Sequence, residues 1–580
     1  MRCPTSVSRL CAGPCLEWPD SKAPRGITLR MTLPRAETMT PSLLSKERTV
    51  APPGFNRWLV PPAALCLHLC IGMAYGFSVF WLPLTRAVGI TAQITCPEGM
   101  GLLGRLTTTT CDWDKPLLGW MYTLFFVVLG SSAAAFGPWL ERVGPRKAGV
   151  VAAICWCGGL AIAAFGVAWH QLWIVWLGAG VIGGIGLGIG YISPVSTLIR
   201  WFPDRRGLAT GMAIMGFGGG AMVGAPLADL LMQQFAGPHS VGVWQTLASL
   251  AAIYFCFMML GAFAYRVPPA GWVPAARGAP GRSSPPLSPA TPPAASFTAS
   301  EAMATSQFWL VWLVLCLNVS AGIGVIGMAS PMLQEMFGGR LIGRDTPFEQ
   351  LDATAATRVA AAAAGFTGLL SLFNIVGRFF WSALSDRIGR PAVYRIFFAA
   401  GLVLYAAVPT LGRSGNVALF CAAFCVILSM YGGGFAAIPA YLADLFGAGH
   451  VGAIHGRLLT AWSVAGVLGP VLVNYVNQWQ LAAGTPPARA YDRTMVLLAG
   501  VLGAGLLCSL AIRPPRRPHR GVGLAPPSTR PGHGSETARE GSGTPVSPRW
   551  NLVVAFWLLV MAPLAWGTWQ TLRQAAVLFR

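Results

Sequence analysis

Two short charged turns in this chain are near copies of one another, about half a molecule apart. The first reads Gly137-Pro138-Trp139-Leu140-Glu141-Arg142-Val143-Gly144-Pro145-Arg146-Lys147, and the second Ala383-Leu384-Ser385-Asp386-Arg387-Ile388-Gly389-Arg390. In both, an acid is followed by Arg, any residue and Gly. Each copy joins two apolar stretches long enough to cross a bilayer as helices. A repeat at corresponding points of two halves predicts two parallel six-helix bundles with a moving interface between them.

The apolar runs agree. They centre near Leu69, Phe126, Leu160, Ile182, Ile214, Cys256, Val319, Ser371, Val403, Leu428, Val467 and Leu502, with a further run from Leu552 to Leu572. They are long and continuous rather than alternating, so helices and not barrel strands are expected. The fold class is therefore an all-α membrane protein of twelve spans plus a thirteenth. Only 11% of residues are charged, the mean hydropathy is +0.57, and an ordinary soluble domain has about 25% charged residues. The net charge of +21 would suggest nucleic acid in a soluble protein. Here the basic residues gather in tails and alternate loops, which indicates contact with anionic lipid and no nucleic acid.

The composition divides the chain into six parts. Residues 1–56 read as a disordered cytoplasmic leader, with Met31 and Met39 as alternative starts. The first six-helix half covers 57–266, a Pro/Ala/Ser-rich linker 267–306, and the second half 307–513. A second linker follows at 514–549, and the additional helix occupies 550–580. With the N-terminus inside, the cytoplasmic turns collect Arg142, Arg146, Lys147, Arg200, Arg205, Arg206, Arg387, Arg390 and Arg395. The outer loops around His170 and His239 hold no Lys or Arg, although Arg340, Arg344 and Arg358 dilute the bias. The glycine runs Gly183 to Gly190, Gly216 to Gly220 and Gly432 to Gly434 fall within spans, where close helix packing accounts for them. None ends in the Lys-Ser/Thr of a phosphate loop.

Fourteen cysteines are present, mostly inside apolar runs and without metal-ligand spacing, so no metal and no cofactor is expected. Cys96 and Cys111 differ because both lie in one polar outer loop, and a disulfide between them is expected there. No nucleophile–base pair supports an enzyme. Arg378 is the sharpest candidate for chemistry, placed within the eighth span about two turns before the second charged turn. A central membrane Arg costs roughly 2.5–3.5 kcal/mol on insertion scales, so it faces a cavity or a partner unless it snorkels to the nearby surface. Its planar guanidinium grips a carboxylate at two points.

Several blocks resemble the oxalate–formate antiporter family of the major facilitator superfamily. They are Asn56-Arg57-Trp58, then Arg200-Trp201-Phe202-Pro203-Asp204-Arg205-Arg206-Gly207-Leu208-Ala209-Thr210-Gly211, then Gly377-Arg378-Phe379-Phe380-Trp381 running into Ser385-Asp386-Arg387-Ile388-Gly389-Arg390. Pro439 and Asp444-Leu445-Phe446-Gly447 extend the resemblance, which covers about residues 55–513. It implies a major facilitator fold in which Arg378 binds the substrate carboxylate. It also implies that Tyr75, Tyr191, Tyr431 and Phe435 surround the anion, although core packing accounts for each aromatic taken singly. One departure matters: the oxalate-specific pattern has a lysine in the eleventh helix, and Trp462 stands there. A dianion facing one Arg would keep an uncompensated charge, which favours a monocarboxylate such as formate, pyruvate or lactate.

Glu141, Arg142, Asp386, Arg387 and Asp444 read as gate residues, since acids in cytoplasmic turns can pair with bases and helix ends to close that side. His68, well inside the first span, is either a proton site or a histidine hydrogen-bonded within the bundle. Arg457 or His455 would compensate the missing charge if either pointed inward, but both are placed at the cytoplasmic end. The expected function is secondary transport of a small carboxylate anion across a bacterial inner membrane by alternating access. Its rivals are a facilitator for a drug or sugar, and a transporter-like sensor. The partners expected are the anion, membrane lipid and, through the thirteenth span, a membrane protein.

Overall fold

A lipid interior offers backbone amides no partner, so a chain this apolar satisfies them within helices. The computed structural model describes residues 42–90, 93–274, 296–515 and 550–576. Among them are thirteen helices long and apolar enough to cross a membrane. In chain order these are α1 Arg57–Leu84, α2 Leu117–Val143, α3 Pro145–Ala168, α4 Leu172–Trp201, α5 Arg206–Phe235 and α6 Val243–Ala264. The second half follows with α7 Ser306–Ile342, α8 Thr354–Ile388, α9 Arg390–Arg413, α10 Val417–Phe446, α11 Val451–Ala482 and α12 Pro487–Ala511. The last is α13, Trp550–Arg573.

The helix ends follow local chemistry. Asn416 and Asp352 cap their helices by accepting from Leu419 N at 2.9 Å and Ala355 N at 2.8 Å. The duplicated turns have the same backbone, with Gly144 at φ 85° and Gly389 at φ 86°, left-handed values that suit glycine. Gly447 at φ 87° ends α10 in the same way, so the acid-x-x-Gly ending occurs three times, at Glu141, Asp386 and Asp444.

Three helices depart from regular α geometry. In α1 the stretch Gly72–Phe80 tightens into a 3₁₀ helix, and in α4 the stretch Trp176–Ile182 widens into a π-helix. α11 divides at Leu459 into Val451–Leu458 and Thr460–Ala482. Such irregular stretches are frequent at functional sites.

Two short segments outside the spans are more ordered than composition suggested. Residues 43–56, expected as part of a disordered leader, lie against the end of the bundle that carries the basic turns. Thr49 is buried, Lys46 Nζ donates to Glu141 O at 2.9 Å, and Ala51 and Val267 join the two segments through backbone hydrogen bonds. Part of the first linker also folds: Ala299–Met303 is a short helix with a Thr298–Glu301 capping box. Residues 275–295 of that linker, the Met31 and Met39 starts and the second linker from residue 516 lie outside the described residues.

α13 packs on α8, α5 and α1, at the periphery of the bundle. Trp557 Nε1 donates to Trp58 O at 3.0 Å near the basic end, and Leu564 sits against Gly219 of α5. Further along, Gly567 faces Met222 of α5 and Thr571 faces Gly368 of α8. The helix therefore touches both halves along their seam.

At the opposite end Cys96 and Cys111 form a disulfide with a Cα–Cα distance of 5.1 Å. Asp112 anchors the same loop, accepting from the backbone of Val88, Gly89 and Ile94 at 2.6, 3.1 and 2.8 Å. Trp113 stacks on His170 at 4.2 Å, and His170 Nε2 meets Cys111 O at 2.8 Å. Burial holds the His170 imidazole below its ordinary pKa, against the opposing pull of that carbonyl.

Two outcomes follow from this architecture. Replacing Cys96 and Cys111 by Ser removes a cross-link worth about 3 kcal/mol in the chain-entropy account, so amide exchange in residues 93–113 should rise at least tenfold. Deleting residues 550–580 uncovers Gly219, Gly368 and Met222, and should lower the thermal transition of the purified protein while α1–α12 remain inserted. Size-exclusion profiles after heating report it, and an unchanged transition would deny α13 any structural role.

Candidate functional site

About two-thirds of the way along α8, Arg378 is wholly buried and has no ion-pair partner among the described residues. Its helix supplies one contact, since Arg378 Nε donates to Asn374 Oδ1 one turn earlier at 3.0 Å. Across the seam, Nη1 donates to Ile214 O of α5 at 3.4 Å, while Nη2 finds no hydrogen-bond partner. The close approach of α5 depends on Gly218: a Cβ there would lie 2.9 Å from Arg378 Nε. The result is a cation with one donor edge satisfied and another left free, a costly state unless something else uses it.

Aromatic rings enclose this charge. The guanidinium carbon lies 5.5 Å from the Phe435 ring centre, 5.7 Å from Phe217 and 6.0 Å from Tyr75, within cation–π range. Tyr75 and Tyr431 share a hydroxyl–hydroxyl contact of 3.2 Å between α1 and α10. Trp462 packs edge-on to Phe435, Tyr191 and Phe217 at 4.6, 5.4 and 5.4 Å. The Tyr191 hydroxyl and Trp462 Nε1 are buried without hydrogen-bond partners, and Tyr191 lies close enough to Arg378 to feel its charge. Thus the six residues expected around an anion, Arg378, Tyr75, Tyr191, Tyr431, Phe435 and Trp462, come together. Two of the six come from the first half of the molecule and four from the second.

Two members were missed by sequence reasoning. Phe217 touches Tyr75, Tyr191 and Trp462, yet it sits inside a glycine run read only as packing. Asn374 carried a legible signal, being four residues before Arg378 on the same helical face. His455 also differs from expectation. It is 2% exposed and its ring lies 5.9 Å from Tyr191, whereas Arg457 does stay near the basic end, donating to Ser300 Oγ at 3.2 Å.

The duplicated acids meet the opposite half. Asp386 accepts from Gly207 N and Leu208 N at 2.8 Å each, at the start of α5, and from Arg390 Nη2 at 2.6 Å. Glu141 accepts from Ala453 N and His450 Nδ1 at 3.0 Å each, at the start of α11. Each acid therefore lies on the positive end of a helix dipole belonging to the other half. Asp444 pairs with Arg206 at 3.1 Å and with Arg390 at 3.4 Å. Behind Asp386, Thr210 meets Ser382 at 3.2 Å, and the Ser382 hydroxyl reaches Gly207 O at 2.7 Å.

Two expected gate residues are corrected. Arg142 turns back on its own helix, donating to Pro138 O at 3.4 Å, and Arg387 is exposed with no partner among the described residues. The bases that pair with Asp386 and Asp444 are instead Arg390 and Arg206. Hydrogen bonds between the halves, among the described residues, run from the Arg378 level to the basic end.

Comparison with known proteins agrees with this architecture. The human organic anion transporter MFSD10 superposes with a TM-score of 0.51 at 15% identity, over 79% of this chain and all of the other. The oxalate:formate antiporter of Oxalobacter formigenes is 24% identical over 416 residues, 71% of this chain and 83% of its own. Human monocarboxylate transporter 11 is 24% identical over 442 residues, 76% and 81% of the respective chains. The profile of the Major Facilitator Superfamily matches residues 64–470 and 346–579. With a secondary-transporter fold, this multi-pass membrane protein belongs to the Major Facilitator Superfamily.

Proposed function

We propose that the protein carries small monocarboxylate anions of the formate, pyruvate or lactate type by alternating access, with Arg378 as the substrate ligand. The observation that carries this reading is the free Nη2 of a buried, unpaired guanidinium ringed by aromatics. A carboxylate accepts from Nη2 directly, and the Tyr191 hydroxyl and Trp462 Nε1 are two more unused donors beside it. The apolar ring faces suit a short hydrocarbon or hydrogen substituent. Trp462 contributes no charge, so one full negative charge is matched and a second is not. The antiporter and monocarboxylate carrier named above support the same substrate class.

In this reading the basic end faces the cytoplasm of a bacterial cell, as the positive-inside rule favours, with the N-terminus on that side. Glu141, Asp386 and Asp444 latch that end shut. Releasing the two carboxylate caps frees α5 from α8 and α11 from α2, and the divided aromatic cage then opens inward. α13 serves stability or a membrane partner rather than substrate choice.

Purified protein in liposomes tests the substrate reading. Formate, pyruvate and lactate should displace one another better than oxalate does. Truncating a buried charge partner costs about 2–5 kcal/mol, so Arg378→Ala should weaken uptake roughly 30-fold or more while the protein still inserts. Near-normal uptake by that variant, or preferential oxalate exchange, would remove the reading; sugar or drug flux that survives Arg378→Ala would replace it. For the latch, Asp386→Ala should make Cys at buried Thr210 accessible to an impermeant maleimide from the basic end, at least tenfold faster than with Asp386 intact.

A further inference from the structure

His68 is wholly buried on α1, and both of its ring nitrogens are aimed at main-chain oxygens. Nδ1 lies 2.5 Å from Ala213 O of α5, and Nε2 lies 3.1 Å from Tyr191 O of α4. A neutral imidazole has one N–H, so it satisfies one carbonyl and sets a lone pair against the other. The imidazolium has two N–H groups and satisfies both. This arrangement is a receptor for a proton.

The surroundings determine when the proton is held. From α4, the Tyr191 ring lies tilted at 5.3 Å with its hydroxyl unpartnered, and from α5 Phe217 offers only an uncharged ring at 6.5 Å. From α8 the Arg378 cation acts on His68 through space, and on α11 His455 in turn feels the charge of His68. A dry environment, and secondarily a positive Arg378, oppose the imidazolium while no carboxylate is bound. A carboxylate bound to Arg378 cancels that repulsion. Proton and anion therefore strengthen each other's binding, and by linkage the effect is mutual.

We propose that His68 is the proton-binding site of an electroneutral symport, in which one proton on the imidazole crosses with one carboxylate on Arg378. The proposal rests on the monocarboxylate reading given above. His455 is the weaker candidate, because its Nδ1 faces no acceptor and protonation gains it no hydrogen bond there.

The test uses the purified full chain in two measurements. In liposomes loaded with a pH-sensitive dye, labelled lactate uptake is followed together with internal acidification, after subtracting the leak of undissociated acid in protein-free vesicles. Wild type should bring in about one proton per anion. His68→Gln, which keeps a single carbonyl contact, should lower that ratio at least tenfold while lactate counterflow remains measurable. In detergent, lactate binding by calorimetry in buffers of differing ionisation enthalpy should show proton uptake by wild type and none by His68→Gln. Anion flux without protons in wild type overturns the symport and leaves the carboxylate reading standing. A full ratio in His68→Gln, or its loss in His455→Gln alone, overturns the assignment to His68. Absence of any carboxylate flux or binding in wild type overturns both readings together.

Discussion

A single unpaired guanidinium in a medium that cannot solvate it sets the terms for the centre of this molecule. Arg378 is held by Asn374 on one side and by a carbonyl of α5 on another, and rings stand where counter-ions would otherwise be needed. Those rings offer negative faces without a full charge, so they moderate the cost of burial without filling the acceptor position. The glycines of α5 belong to the same solution. Side chains at Gly211 or Gly218 would drive α5 away from Arg378, and with it the Ile214 carbonyl. The seam between the halves thus passes directly beside the charge.

The irregular helices cluster around this centre. The 3₁₀ stretch of α1 carries Tyr75, and the break in α11 falls between His455 and Trp462. α1 and α11 belong to different halves, so irregularity is divided much as the aromatic cage is. α13 departs from this symmetry, because it touches α5 and α8 at once. Any rotation of one half against the other must exchange part of its contacts.

Much of the plan was legible in the sequence because membrane spans are written in length and hydropathy. The duplicated turn gave the two halves, and an Arg inside an apolar run identified α8 as the charged helix. Facing direction was harder to read. Arg142 and Arg387 directly follow their acids, so about 100° of helix rotation points them elsewhere. Arg390 lies four residues after Asp386 and shares its face. Phe217 was hidden for a related reason: a ring inside a glycine run gains its neighbours only when α1, α4 and α11 are assembled. Residues 43–56 look disordered from composition because the contacts that hold them, such as Lys46 with the end of α2, lie far away in sequence.

The carboxylate caps carry a consequence for genetics. Glu141 and Asp386 are side chains, but most of what they grip is main chain: the amides of Ala453, Gly207 and Leu208. A library that swaps one side chain for another can erase the acids and cannot erase those amides. Its map of these contacts would show only one side of each, with acids apparently acting on nothing. Proline alone deletes an amide hydrogen, and the first turn of a helix accommodates it. At Leu208 or Ala453 it would reveal the side of these contacts that ordinary mutagenesis leaves silent.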